Sequence, residues 1–223
     1  MTITAPRGTQ DFLPEQTGDW QNLEAKIRDV CSLYGCGEIR TPVFESTELF
    51  LRGIGETTDV VTKEMYTFED HGGRSMTLRP ENTASVVRSF LEHKLYGDGK
   101  IHKFYYMGPM FRHDRPQAGR YRQFNQFGVE EIGSQDPAVD AEIIALALQL
   151  FRELGLHDLV LHLNSVGCPA CRPVYRRKLL EFFADKRAGL CEDCQSRLDR
   201  NPLRVLDCKE DGACLLYTSP SPR

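Results

Sequence analysis

The chain has 223 residues, 40% hydrophobic and 27% charged, with a net charge of −4. This size and balance describe a soluble globular protein with one full core, or one domain and part of another. They exclude a blanket electrostatic grip on nucleic acid and a membrane-spanning helix, since no apolar run approaches about 20 residues. The N-terminus MTITAPRGTQDFLP has no apolar signal core, so a cytoplasmic location is expected. Eight cysteines in that compartment are expected as thiols or metal ligands rather than disulfides.

Thr17–Tyr34 repeats Trp20, Leu23, Ile27, Val30 and Tyr34 at helical spacing and stops at Gly35. EIRTPVFE (38–45) reads as a short strand, with Pro42 suiting an edge or an end. STELFLRGIG follows as a short helix capped by Ser46 or Thr47. EMYTFED and SMTLRP flank His71-Gly72-Gly73-Arg74, a hairpin signal. The next helix, Thr83 to Leu95, carries Val87, Phe90, Leu91 and Lys94 in helical register.

A second hairpin pairs KFYYMGPMF with RQFNQFGVEEIG and carries Arg112, Arg115, Arg120 and Arg122 at its mouth. Asp136-Pro137 opens a helix that Gly155 ends, its apolar face being Ile143, Ala147, Leu150, Phe151 and Leu154. LVLHLN (159–164) alternates as a strand. From Ser165 the texture changes to cysteines and basic residues, with a short helix around Tyr175–Phe183. The expected organisation is therefore 1–164, 165–214 and a Pro/Ser-rich tail, 215–223, which reads as disordered and as a candidate non-native end.

Guanidinium forks match phosphate oxygens, so the arginine mouth suits a polyphosphate. The competing reading is a solvated basic loop. Strand alternation sends Glu130 and Glu131 to opposite faces. Arg122, Phe124, Gln126, Gly128 and Glu130 then share one face, in an order that suits phosphate, base, polar group, close backbone approach and cation. Glu81 and Thr83, at a helix start, read equally as a capping motif. Cys168-x2-Cys171 and Cys191-x2-Cys194, 19 residues apart, fit a four-thiolate structural zinc site, with plain thiols as the alternative. No P-loop or dinucleotide-binding glycine motif occurs.

RGTQDFLP, IRTPVFESTELFLRGIGETTDVVTKEMYTFED, TLRPENTASVVR and YYMGPMFRHDRPQAGRYRQFNQFGVEEIG, in this order, resemble the N-terminal half of the bacterial histidyl-tRNA synthetases. The similarity runs from Arg7 to about Asp211. It implies an α+β fold: a class II synthetase-type antiparallel sheet flanked by helices, incomplete here, followed by the start of a mostly helical insertion domain. Ile39–Gly55 resembles the dimer-forming motif 1, and the second hairpin resembles motif 2.

The resemblance further implies Arg112 as the catalytic arginine on the ATP α-phosphate and the substrate carboxylate. Arg120 is implied on the terminal phosphates and Phe124 as the adenine-stacking ring. Glu81, Asn82, Thr83, Gln126 and Glu130 are implied to bind histidine, Glu130 reading the imidazole. Asn82 stands where the family often has glycine. ATP, Mg²⁺, L-histidine and tRNA(His) are the implied substrates and partners, and a homodimer the implied assembly. Motif 3 and the anticodon domain are not among the 223 residues, so the chain alone is expected not to charge tRNA. A histidine-sensing regulatory paralogue without catalysis is the competing function; the four arginines speak for the enzyme.

Overall fold

The computed structural model describes residues 2–54, 58, 60–114, 119–164, 167–206 and 208, without the side chains of 62 and 63. The chain divides into two compact units, Met1–Leu159 and Val160–Arg223. The first holds six strands: β1 (Gly37–Glu38), β2 (Phe44–Ser46), β3 (Thr67–Glu69), β4 (Ser75–Leu78), β5 (His102–Phe111) and β6 (Gln123–Ile132). Its helices are α1 (Pro14–Leu33), α2 (Thr47–Ile54), α3 (Thr83–Glu92) and α4 (Pro137–Glu153). The second unit holds α5 (Cys171–Phe183) and α6 (Glu192–Arg200).

The strands form two three-stranded sheets, ordered β1-β5-β6 and β2-β4-β3. The β5–β6 ladder is antiparallel, from His102 opposite Ile132 to Phe111 opposite Gln123, while β1 runs parallel to β5. EIRTPVFE is thus not one strand. Its first residues join one sheet and its last join the other, and Pro42 lies in the crossing. Asp70 makes the tight turn between β3 and β4 by accepting from the amides of Gly72 and Arg74.

Alternation gives the β5–β6 ribbon two different faces. Tyr105, Met107, Phe127 and Val129 pack with Ile27, Val30 and Cys31 of α1 and with Leu146 and Leu150 of α4. On the other face Tyr106, Met110, Phe104 and Phe124 gather around Val86 of α3. Asp136 caps α4, accepting from the Ala138 amide at 2.9 Å. The core face of α4 coincides only in part with the one its periodicity suggests. Leu150 of that stripe is buried and so is Leu146, at 2% exposure, whereas Phe151 and Leu154 stay 40% and 36% exposed. In α3 Val86 is buried, while Val87 and Leu91 face outward.

LVLHLN forms no strand. Alternation produces a strand only where a neighbour completes the ladder, and no described residue pairs with it. Leu161 and Leu163 are 55% and 80% exposed.

The α4 finding is checked by unfolding in urea. Leu146→Ala is expected to cost about 2–5 kcal/mol through lost contacts and a cavity. Leu154→Ala is expected to stay within about 0.5 kcal/mol. The reverse order would restore the face read from periodicity.

Candidate functional site

At the hairpin mouth the ladder ends at Phe111–Gln123, and the Arg112 amide continues it by donating to the Arg122 carbonyl at 2.9 Å. Arg112 Nε donates to the Pro80 carbonyl at 2.8 Å, and its guanidinium lies over the Phe124 ring, 5.3 Å from the centroid. A rigid strand end and one hydrogen bond therefore aim this side chain beside an aromatic plate. Arg120 pairs with Asp114 at 2.9 Å, with its side chain 49% exposed. Such a surface pair is worth under about 1 kcal/mol and yields readily to a phosphate. Arg115 lies outside the described residues.

Further along the same face stands a polar cluster. Thr83 Oγ1 donates to Glu130 Oε1 at 2.7 Å, and the buried Tyr106 hydroxyl is hydrogen-bonded with both Thr83 and Glu130. Tyr106 fills the space above Gly128, where an added Cβ would sit 2.2 Å from its hydroxyl oxygen. Burial, above all, holds the Glu130 carboxyl above the usual carboxylate range; the nearby Glu81 charge adds to this and the Thr83 bond opposes it. Burial likewise pushes the Tyr106 phenol up to about 12. A half-buried carboxylate beside a second carboxylate favours a cationic hydrogen-bond donor as ligand.

Glu81 caps α3. Its carboxylate accepts from the amides of Thr83 at 2.6 Å and Ala84 at 3.0 Å. The capping reading of this motif is thus present with its roles exchanged, since Thr83 turns its hydroxyl to Glu130 instead. Asn82, fully buried, accepts from Thr41 Oγ1 at 2.7 Å and from Arg79.

The expected histidine-binding residues do not all open on one space. Asn82 and Gln126 line a cavity of about 520 Å³ together with Arg79, Tyr106 and Gly108. Glu81 and Thr83 line a wider groove of about 1230 Å³ between α2 and α3. Glu130 links the two regions through Thr83 and Tyr106. Gln126 Oε1 and Asn82 Nδ2, an acceptor and a donor, are buried without a hydrogen-bond partner, which makes the smaller cavity receptive to a polar ligand.

Two participants escaped the sequence reading. Tyr106 was legible in principle, because it sits opposite Gly128 in the ladder and so shares the Glu130 face. Arg79, at the end of SMTLRP, drew no role from the sequence; it is 6% exposed and hydrogen-bonded to Pro109, Thr41 and Asn82.

The four-cysteine set is regrouped. Cys168 and Cys171 are free, exposed and hydrogen-bonded to each other, the Cys168 amide donating to Cys171 Sγ at 2.9 Å. Cys191 and Cys194 come together instead with Cys208, all three sulfurs within 4.8 Å of one another. Spacing along the chain could not reveal Cys208, which has no CxxC partner. Cys214 lies outside the described residues.

Residues 8–170 match the family model described as histidyl-tRNA synthetase. A histidine–tRNA ligase of Pelotomaculum thermopropionicum is 60% identical over 222 residues, which is 100% of this chain and 52% of that protein. The apo histidyl-tRNA synthetase of S. aureus has 43% identity and a TM-score of 0.75, over 99% of this chain and 56% of that one. A Bacillus halodurans structure described as an ATP phosphoribosyltransferase regulatory subunit/histidyl-tRNA synthetase has 24% identity and a TM-score of 0.61, over 96% of this chain and 62% of that one. At this identity it supports the fold alone. The chain spans about half the length of the curated relatives it matches.

The raised Glu130 carboxyl has a measurable consequence. The native state keeps this proton to a higher pH than the unfolded chain, so folding stability falls as pH rises from the ordinary value near 4.5 through the folded one. Glu130→Gln removes this titration. Its urea midpoint relative to the parent is expected to rise across that window; a flat or falling difference would refute the assignment.

Proposed function

The chain belongs to the histidyl-tRNA synthetase family, and we propose on that footing that it forms part of a histidine–tRNA ligase. The observation that carries the reading is the juxtaposition of two unlike recognition elements on one strand face. One end offers an aimed guanidinium beside an aromatic ring. The other offers a half-buried carboxylate with tyrosine and threonine hydroxyls. A nucleotide phosphate suits the first and the amine or imidazole of an amino acid suits the second.

In this reading the histidine carboxylate attacks the ATP α-phosphorus in line, pyrophosphate leaves, and histidyl-adenylate forms. A ribose hydroxyl at the 3′ end of tRNA(His) then attacks the activated carbonyl and AMP leaves. Arg112 holds the α-phosphate and the carboxylate, Arg120 the terminal phosphates, and Phe124 stacks the adenine. Glu81, Asn82, Thr83 and Gln126 hold the histidine, and Glu130 accepts from its imidazole. No protein nucleophile is required; positioning and fixed charge supply the rate. A pocket that hydrogen-bonds the imidazole rejects apolar side chains by about 10⁴-fold, because its own polar groups would be left unpaired.

When bound, Mg²⁺ would neutralise charge on the phosphates, whose oxygens would be among its ligands. A cytoplasmic location and a homodimer belong to the same proposal. The assembly is supported by Phe44 of β2 and Phe68 of β3, 47% and 44% exposed, with Val43 just before β2 at 41%. No described helix is long and apolar enough to cross a membrane. The regulatory reading has less support, since a 60%-identical relative is a ligase and Arg112, Arg120 and Arg122 are present at the mouth.

A chimera replacing the matching 52% of the Pelotomaculum relative with this chain is expected to support histidine-dependent ATP–pyrophosphate exchange. In it, Arg112→Ala is expected to slow adenylation about 10²–10³-fold, as for loss of one preorganised donor. Glu130→Gln is expected to raise the histidine KM about ten- to a hundredfold by removing a charged hydrogen bond. A folded chimera with no exchange, or one indifferent to both substitutions, overturns the proposal.

A further inference from the structure

We infer that Cys191, Cys194 and Cys208 supply three of the four ligands of a structural zinc site within the second unit. This assignment stands on sulfur geometry and is independent of the hairpin. Cys191 Sγ and Cys208 Sγ are 3.8 Å apart, and all three sulfurs lie within 4.8 Å of one another. A tetrahedral zinc with Zn–S bonds of about 2.3 Å has sulfur–sulfur edges of about 3.8 Å. One edge therefore already has the required length.

Local structure holds the three sulfurs in place. Cys191 is the N-cap residue of α6, and Cys194 is the third residue of that helix. The CxxC spacing thus brings both sulfurs to one helix end, where the exposed amides and the dipole favour negative charge. Cys208 reaches them from the far side of a short 3₁₀ turn, Pro202–Val205, its amide donating to the Val205 carbonyl at 3.2 Å. Cys194 has 0% exposure and Cys208 has 9%. Three soft donors converging in a sheltered spot suit zinc better than Mg²⁺ or Ca²⁺.

Among the described residues, the second unit's core includes Leu179, Phe183, Leu190, Cys194, Leu198, Val205 and Cys208. A metal bound at two of its members would brace that core. Cys168 and Cys171 lie outside this cluster, exposed and hydrogen-bonded to one another. The competing account is that the three thiols pack as small apolar groups.

The test is metal analysis of the 223-residue chain, purified under reducing conditions and desalted after zinc addition. About one equivalent of zinc per chain is expected. It should be lost in Cys191→Ser and Cys208→Ser and kept in Cys168→Ser and Cys171→Ser. Because the serine variants can lose the fold together with the ion, the parent chain is also exchanged with Co²⁺. Thiolate-to-cobalt charge-transfer absorption and tetrahedral ligand-field bands are then expected. Zinc below about a tenth of an equivalent, zinc that survives Cys208→Ser, zinc that requires Cys168, or a cobalt spectrum without thiolate bands overturns the site.

Discussion

Arg79 is the point on which the first unit turns. Its backbone donates to the Val43 carbonyl and accepts from the Phe111 amide, so one residue ties the segment before β2 to the end of β5. Its guanidinium, 6% exposed, reaches the Pro109 carbonyl, the Thr41 carbonyl and hydroxyl, and Asn82 Oδ1. These partners are neutral, and burial accordingly holds the group below the usual guanidinium range. The arrangement is costly to desolvate, but every fork position used fixes a different chain segment. It also explains Gly108: an added Cβ there would stand 2.6 Å from Arg79 Nη2. The crossing between sheets, the entry to α3 and the hairpin are held at one distance from each other by this single cation.

Given that anchor, the alternation of β6 decides which carboxylate joins an ion group and which faces the polar cluster. Glu131 points to the α1–α4 face, its side chain 3% exposed, 3.8 Å from Lys103 Nζ. Lys103 in turn lies 2.6 Å from Glu142 of α4. This ion group links ribbon to helix within the layer, and Glu131 is held above the usual range chiefly by burial. Glu130, one residue earlier, faces α3 and meets only hydroxyl donors and the neighbouring Glu81 charge. Adjacent residues of one type thus acquire opposite surroundings from a period of two, with no difference in their own chemistry.

That period is why so much of the hairpin was legible. Strand faces follow from counting, and the Arg122-to-Glu130 order needed nothing beyond alternation. Helix ends were legible for a similar reason: Asp136-Pro137 and Gly155 carry their geometry in their own side chains or lack of them. Helix faces were less so, because a stripe of Ile, Leu and Phe on α4 fits more than one rotation, and only the partner surface of α1 and β5 selects Leu146. LVLHLN shows the same dependence in a strand, whose alternation is real but whose ladder needs a neighbour. The cysteines failed differently. CxxC spacing reports which pairs share a turn, not which pairs meet, and a lone cysteine completing a set leaves no periodic trace. Tyr106 and Arg79 were hidden by ordinary surroundings, an aromatic strand and the end of a short hairpin strand.

The mouth arginines look alike in sequence and differ in three dimensions because of what covers them. The N-terminal segment crosses the mouth: the Arg122 amide donates to the Gly8 carbonyl at 2.7 Å, and the Gly8 Cα faces the Arg122 side chain so closely that a Cβ would lie 2.8 Å from Arg122 Cγ. Gly8 has φ +87°, a conformation that a side chain disfavours in any case. Arg122 therefore serves as the clasp of the segment, its Nε reaching back to the Asp114 carbonyl at 3.4 Å. Arg120 rests on the Asp114 carboxylate at the rim. Arg112 alone of these three is fixed through the entry to α3, at the Pro80 carbonyl, and lies on Phe124. The glycine in RGTQDFLP thus has a physical reason that lies more than a hundred residues away, in the strand it must touch.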